Sequence, residues 1–221
     1  LMAAKRKKPE LADLVADDVT KGWRLALAVF AVVVLGPIAA YLVHSSWPPP
    51  PPPQYASVVK VRTNTGHGSG VHIGGGKFLT AAHVTDGAKE LHIRTPDGKE
   101  RDAELLWSSP AYDVSLLQIK DGRDEFKTTE ISCRAPRIWE EIFALGNPQA
   151  LEFVQTRGVV IGLARKQSHW ASVIVVDVPM YPGMSGGPVT DKQGRLIGLT
   201  VGGYHNPPMN LVVDSLTICN L

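Results

Sequence analysis

From residue 57 onward, apolar and β-branched residues alternate with polar ones in short runs, broken at close intervals by turn-forming residues. Period-two runs of this length, bounded by Gly, Pro, Asn or Asp, read as half-buried strands. The first set is Ser57–Thr63, Gly70–Ile73, Lys77–Thr80, Glu90–Thr95, Glu100–Trp107 and Asp113–Ile119. Gly74-Gly75-Gly76 and Pro96-Asp97-Gly98 supply turns within it, the latter a strong hairpin signal. The second set is Ile142–Leu145, Phe153–Leu163, Ser172–Val178, Gly187–Thr190, Arg195–Gly202 and Met209–Val213. Six and six predict an all-β domain of two small six-stranded antiparallel barrels, joined through Lys120–Pro136. No long amphipathic helix interrupts the strands, which excludes a parallel α/β sheet.

The pattern changes upstream. Leu25–Val43 is a run of 19 residues without a charged side chain. As a helix at ~1.5 Å per residue it would extend about 28 Å, close to the ~30 Å of a bilayer's hydrocarbon core. A buried soluble helix of that length would carry polar residues along one face, and this one does not. Lys5, Arg6, Lys7, Lys8, Lys21 and Arg24 precede the run, and no Lys or Arg follows until Lys60. The positive-inside rule then puts the N-terminus in the cytoplasm and the β domain outside, in a periplasm or its equivalent. A cleaved signal peptide is the rival, but the run exceeds the usual ~7–15 apolar residues and no Ala-x-Ala site ends it. The expected organisation is a cytoplasmic tail (1–24), a transmembrane signal anchor (25–43), a proline-rich linker (44–56) and a folded domain (57–221). Pro48–Pro53 can join neither helix nor sheet and suits a stiff polyproline II spacer. In the tail, Leu11, Leu14, Val15 and Val19 fall at helical spacing and suggest a short amphipathic helix.

Charge adds an exclusion. The net charge of +2 comes from the first 53 residues, because Lys plus Arg and Asp plus Glu number 17 each from Gln54 onward. No clustered basic face marks a nucleic-acid partner. Cys133 and Cys219 are the two cysteines of the chain. Outside the cytoplasm they could pair, or stand as two isolated buried thiols; the sequence carries no distance to decide. There is no Cys-x-x-Cys motif and no His/Cys cluster at metal spacing, so neither metal nor cofactor is expected.

Three segments carry the candidate chemistry: Thr80-Ala81-Ala82-His83-Val84, Asp113-Val114-Ser115-Leu116-Leu117 and Gly183-Met184-Ser185-Gly186-Gly187-Pro188-Val189. A serine hydroxyl is a weak nucleophile at neutral pH. It becomes competent when an imidazole takes its proton and a carboxylate holds that imidazole in the right tautomer. Alone, each residue has an ordinary structural explanation: a surface histidine, a turn aspartate, a glycine-rich tight turn. Together and in this order they propose a His–Asp–Ser triad.

With Gly68-Ser69-Gly70-Val71, Phe78-Leu79 before the histidine segment, Leu145-Gly146-Asn147-Pro148, Val159-Val160-Ile161-Gly162 and Asp177, the chain resembles trypsin-fold serine proteases of the HtrA/Deg type over residues 57–214. The resemblance implies His83 as general base, Asp113 as its orienting acid and Ser185 as nucleophile. It also implies Gly183 and Ser185 as main-chain donors of an oxyanion hole, since side chains there would block substrate. Thr200-Val201-Gly202 resembles the strand that lines the primary substrate pocket. Pro179 stands six positions before Ser185, where proteases that cleave after Lys or Arg carry an acid, so a small or medium apolar preference is expected. Met184 departs from the Asn common in these relatives. HtrA proteins commonly continue into PDZ domains, whereas this chain ends at Leu221 soon after its last predicted strand; the family's usual trimers leave a homo-oligomer open.

The expected function is a membrane-anchored serine endopeptidase acting on polypeptides through an acyl-enzyme. Its rival is a catalytically silent protease fold serving as a tethered binding or assembly module. Gly183-x-Ser185-x-Gly187 also fits the nucleophile elbow of α/β hydrolases, but only His205 follows with Asp191 between, and strand–helix alternation is missing.

Overall fold

The computed structural model describes residues 57–122, 126–205 and 208–221, together with residues 23, 26 and 29–37. The chain divides into two units, Leu1–Pro50 and Pro51–Leu221. In the first, Ala31–Leu35 forms a π-helical turn flanked by Phe30 and Gly36, both in the right-handed helical region. Among the described residues no helix is long and apolar enough to cross a membrane. The predicted span over 25–43 lies in part outside the described residues, and the amphipathic tail and the proline tract lie wholly outside them.

Among its described residues the second unit contains twelve strands. β1 (Val58–Thr63), β2 (His67–Gly74), β3 (Lys77–Thr80), β4 (Leu91–Arg94), β5 (Glu100–Ser109) and β6 (Val114–Ile119) close into one antiparallel barrel in the order β1-β2-β3-β6-β5-β4. β7 (Glu141–Gly146), β8 (Val154–Gln167), β9 (Trp170–Val176), β10 (Pro188–Thr190), β11 (Leu196–His205) and β12 (Pro208–Asp214) close into a second in the order β10-β11-β12-β9-β8-β7. Closure removes the free edges that an open sheet would present to other chains. A single helical turn, α1 (Ala82–Thr85), follows β3, and a short helix, α2 (Ser215–Cys219), follows β12.

All twelve predicted strands are present, with displaced ends. β8 runs four residues beyond Leu163 and β9 begins two residues before Ser172, because their hairpin tip leaves the core and its residues no longer alternate. β11 likewise extends to His205. The sequence reading missed α2, whose first turn is capped by Asp214 accepting from Thr217 N at 3.0 Å.

Each barrel has its own apolar interior. Val59, Val61, Phe78, Ile93, Ala103, Leu117 and Ile119 fill the first; Ile142, Val160, Ile174, Val176, Val189 and Ile197 belong to the second. A third cluster joins them, taking Val71, Leu79 and Val114 from the first barrel and Val173, Leu199, Val201, Leu211 and Val213 from the second. The connection between barrels crosses this seam, tied by Thr129 N to His72 O at 2.9 Å and Ser132 N to Leu196 O at 2.9 Å.

Cys133 and Cys219, left open by the sequence, form a disulfide with their Cα atoms 5.7 Å apart. It fastens α2 to the inter-barrel connection across 86 positions of chain. In the loop-entropy account a closure of that length stabilises by about 4–5 kcal/mol. Cys133→Ser with Cys219→Ser should lower the unfolding free energy from urea titration by that order, and an unchanged midpoint would contradict it.

Candidate active site

β3 delivers the chain to α1. Thr80, buried at its end, donates Oγ1 to Ser69 O at 2.7 Å, and Ala81 is extended before the turn that carries His83. Thr85 closes the turn by donating to Ala82 O at 3.0 Å. Asp113 stands just before β6 in the left-handed region (φ 57°), which short polar side chains tolerate better than most. It is 3% exposed, so its carboxylate needs partners. Oδ1 accepts from His83 N at 2.8 Å; Oδ2 accepts from His83 Nδ1 at 2.7 Å and from Trp170 Nε1 at 3.2 Å. Burial pushes the Asp113 carboxyl up, but the hydrogen bonds and charge of His83, with the indole N–H, outweigh it and hold the group below the usual carboxylate range. An ionised carboxylate only accepts, so the His83 proton sits on Nδ1 and Nε2 is left as the acceptor. The imidazole is half exposed.

Ser185 lies on a turn held from three sides. Met184 N donates to Tyr181 O at 3.0 Å, Gly186 N to Thr200 O at 2.7 Å and Gly187 N to Met184 O at 2.8 Å. Thr200 Oγ1 donates to Met184 O. From the other barrel, Ser69 N donates to Ser185 O at 2.8 Å and Ser69 Oγ to Gly183 O at 2.8 Å. Among the described residues, the N–H groups of Gly183 and Ser185 are the two on this turn that make no hydrogen bond within the protein. Gly183 and Gly186 have φ of +96° and +79°. A Cβ at Gly186 would strike Thr80 Oγ1, Ser69 O and Ala81 N, so only glycine lets the serine turn close onto the start of the histidine turn. No hydrogen bond joins Ser185 Oγ to His83 among the described residues. Catalytic hydrogen bonds of this kind are often unmade before substrate binds.

Ser69 and Asn147 knit the two halves. Ser69 Oγ accepts from Asn147 N at 2.8 Å and from Asn147 Nδ2 at 3.1 Å. Asn147 Nδ2 also donates to Val59 O at 3.1 Å, and its Oδ1 accepts from Phe153 N at 3.1 Å. His67 Nε2 donates to Asn147 O at 3.0 Å beside Gly183. Sequence reasoning quoted Ser69 and Asn147 within motifs but assigned them no task, and it passed over Trp170 entirely.

A cavity of about 650 Å³ opens beside Ser185. Thr200 and Gly202 are among the residues that line it. Val201 is not: its side chain is buried in the seam cluster, because successive strand residues point to opposite faces. Pro179, Met180 and Tyr204 give the cavity apolar walls, while Asp177 and Asn210 add polar groups. Asp177 Oδ1 accepts from Val159 N at 2.6 Å. Met184, the departure noted above, is fully buried in the second barrel's core.

Paired antiparallel barrels with an Asp–His pair and a glycine-flanked serine at their seam define a chymotrypsin-like architecture. Residues 68–199 match the trypsin-like peptidase domain, and the chain belongs to that family. It is 33% identical to chloroplastic Protease Do-like 1 of Arabidopsis thaliana over 136 residues, 58% of this chain and 31% of that protein. It is 31% identical to the periplasmic serine endoprotease DegP of Escherichia coli K12 over 137 residues, 60% of this chain and 29% of DegP. The solved HtrA-type protease AlgW with tripeptide superposes with a TM-score of 0.66 at 26% identity, covering 72% of this chain and 56% of AlgW. The chain thus spans about a third or less of the length of these curated relatives.

Because the folded-state pKa of Asp113 is depressed, its stabilising contribution is present above the unfolded value and is lost as pH falls through the folded one. The stability gap between wild type and Asp113→Asn should therefore narrow as pH drops below about 4, the ordinary carboxylate range. Urea midpoints measured against pH check this; a gap that widens in acid would contradict it.

Proposed function

We propose that this chain is a serine endopeptidase in which His83, Asp113 and Ser185 form the triad. The observation that carries the reading is the carboxylate-fixed imidazole: Asp113 Oδ2 accepts from His83 Nδ1 at 2.7 Å, which leaves Nε2 as the acceptor. In the proposed reaction Ser185 Oγ attacks the scissile carbonyl carbon as its proton passes to His83 Nε2. The oxyanion forms within reach of the uncommitted N–H groups of Gly183 and Ser185. His83 then protonates the leaving amine, and water, deprotonated by the same imidazole, releases the acyl group from Ser185. The apolar walls of the cavity support a small or medium apolar side chain before the cleaved bond, with Thr200 and Gly202 along the substrate strand. Polypeptide substrates are the reading that the names of the relatives suggest.

A catalytically silent binding or assembly module is the second reading, and the unmade Ser185–His83 hydrogen bond is what it would also display. A fluorophosphonate probe separates them: wild type labels and Ser185→Ala does not. In a peptide-cleavage assay, Ser185→Ala or His83→Ala should lower turnover by ~10⁴–10⁶, and Asp113→Asn by ~10⁴ through the wrong tautomer. Turnover retained by Ser185→Ala would overturn the proposal.

The uncharged run over Leu25–Val43 and the basic residues before it support a single-pass anchor with an extracytoplasmic protease domain. After expression of the full chain, the protein should remain in carbonate-washed membranes. Release into the soluble fraction would contradict the anchor.

A further inference from the structure

We infer that Trp170 is a positioning residue for the reaction, holding the Asp113 carboxylate from the second barrel while its other ring edge supports the substrate strand at Gly202. This rests on the serine-peptidase reading above. Apart from His83, the Trp170 indole is the one side chain among the described residues that donates to Asp113, at 3.2 Å to Oδ2. His83 comes from the same barrel as Asp113, so Trp170 is the carboxylate's direct link to the barrel that carries Ser185.

The approach of the indole is fixed by its backbone. Trp170 opens β9 directly after the two-residue turn Ser168-His169, where Gln167 pairs with Trp170. The next residue, Ala171, donates N–H to Ala111 O at 2.8 Å, on the loop that leads into Asp113. His169 packs its ring on the indole at 3.9 Å between centroids. The Cζ2 and Cη2 atoms lie 3.1 Å from where a Cβ on Gly202 would sit. Gln167 Nε2 donates to Tyr204 Oη at 2.9 Å, so the same hairpin tip grips the cavity wall a second time. One rigid aromatic plane therefore meets the carboxylate at one edge and the substrate strand at another, and a shift of that strand reaches Asp113 through two contacts.

Trp170→Phe keeps one aromatic ring and removes both the N–H and the Cζ2–Cη2 edge that faces Gly202. Trp170→Phe should lower kcat about tenfold, the worth of one charge-assisted hydrogen bond, and raise KM through the lost support at Gly202, with the melting temperature near wild type. A purely structural role would instead lower the melting temperature and the active fraction together. Gly202→Ala provides the second variant, because its Cβ meets the indole at 3.1 Å. It should raise KM through the pocket and also lower kcat, and the kcat effect should vanish in the Trp170→Phe background. Wild-type labelling by fluorophosphonate with an unchanged kcat in Trp170→Phe would overturn this inference alone, as would a Gly202→Ala effect confined to KM. Wild type that fails to label would overturn the peptidase reading and this inference with it.

Discussion

The Ser69 side chain sits where two separately closed barrels meet, and its hydroxyl handles three groups at once. It donates to Gly183 O and accepts from both nitrogens of Asn147, while its backbone N–H donates to Ser185 O. Each barrel has an apolar interior of its own besides the cluster they share. What makes them one site is this buried polar junction, in which every group is paired; leaving any of them unpaired would cost about 1–3 kcal/mol. The glycine at 186 is part of the same constraint, since the Ser69 carbonyl, Thr80 and Ala81 occupy the space that a side chain there would need.

From that junction the division of labour follows. The first barrel carries the His83 imidazole and the Asp113 carboxylate on the short turn after β3 and the residue before β6. The second carries Ser185, the two uncommitted N–H groups and the cavity. Apolar packing of Val71, Leu79 and Val114 against Val173, Leu199 and Val201 brings the halves together without direction. Hydrogen bonds supply the direction: Ser69 toward the serine turn, and the Trp170 indole back toward Asp113.

Much of this was legible in the sequence, and the reason is periodicity. Strands with one face in a barrel and one face out repeat every two residues, so all twelve could be read from alternation and turn residues. Where that physical cause lapses, so does the signal: the β8–β9 tip, with Arg165 and Lys166 both exposed, lies beyond the predicted strand ends at Leu163 and Ser172. His83, Asp113, Ser185 and Gly183 could be named as candidates because their local motifs are specific, and the structure brings the first two into hydrogen-bond contact. Trp170 could not be named, since its contact with Asp113 spans 57 positions and leaves no local pattern. The disulfide was undecided for the same reason, as pairing depends on a distance that composition does not hold.

The central claim is that a seam hydroxyl sets the geometry of the turn that carries Ser185. Ser69→Ala tests it most directly, read as the rate of fluorophosphonate labelling at Ser185 beside the melting curve of the same sample. The account predicts labelling slowed about tenfold or more in protein that is still fully folded at the assay temperature, from the loss of the hydrogen bond that orients Gly183. Labelling at the wild-type rate would contradict it.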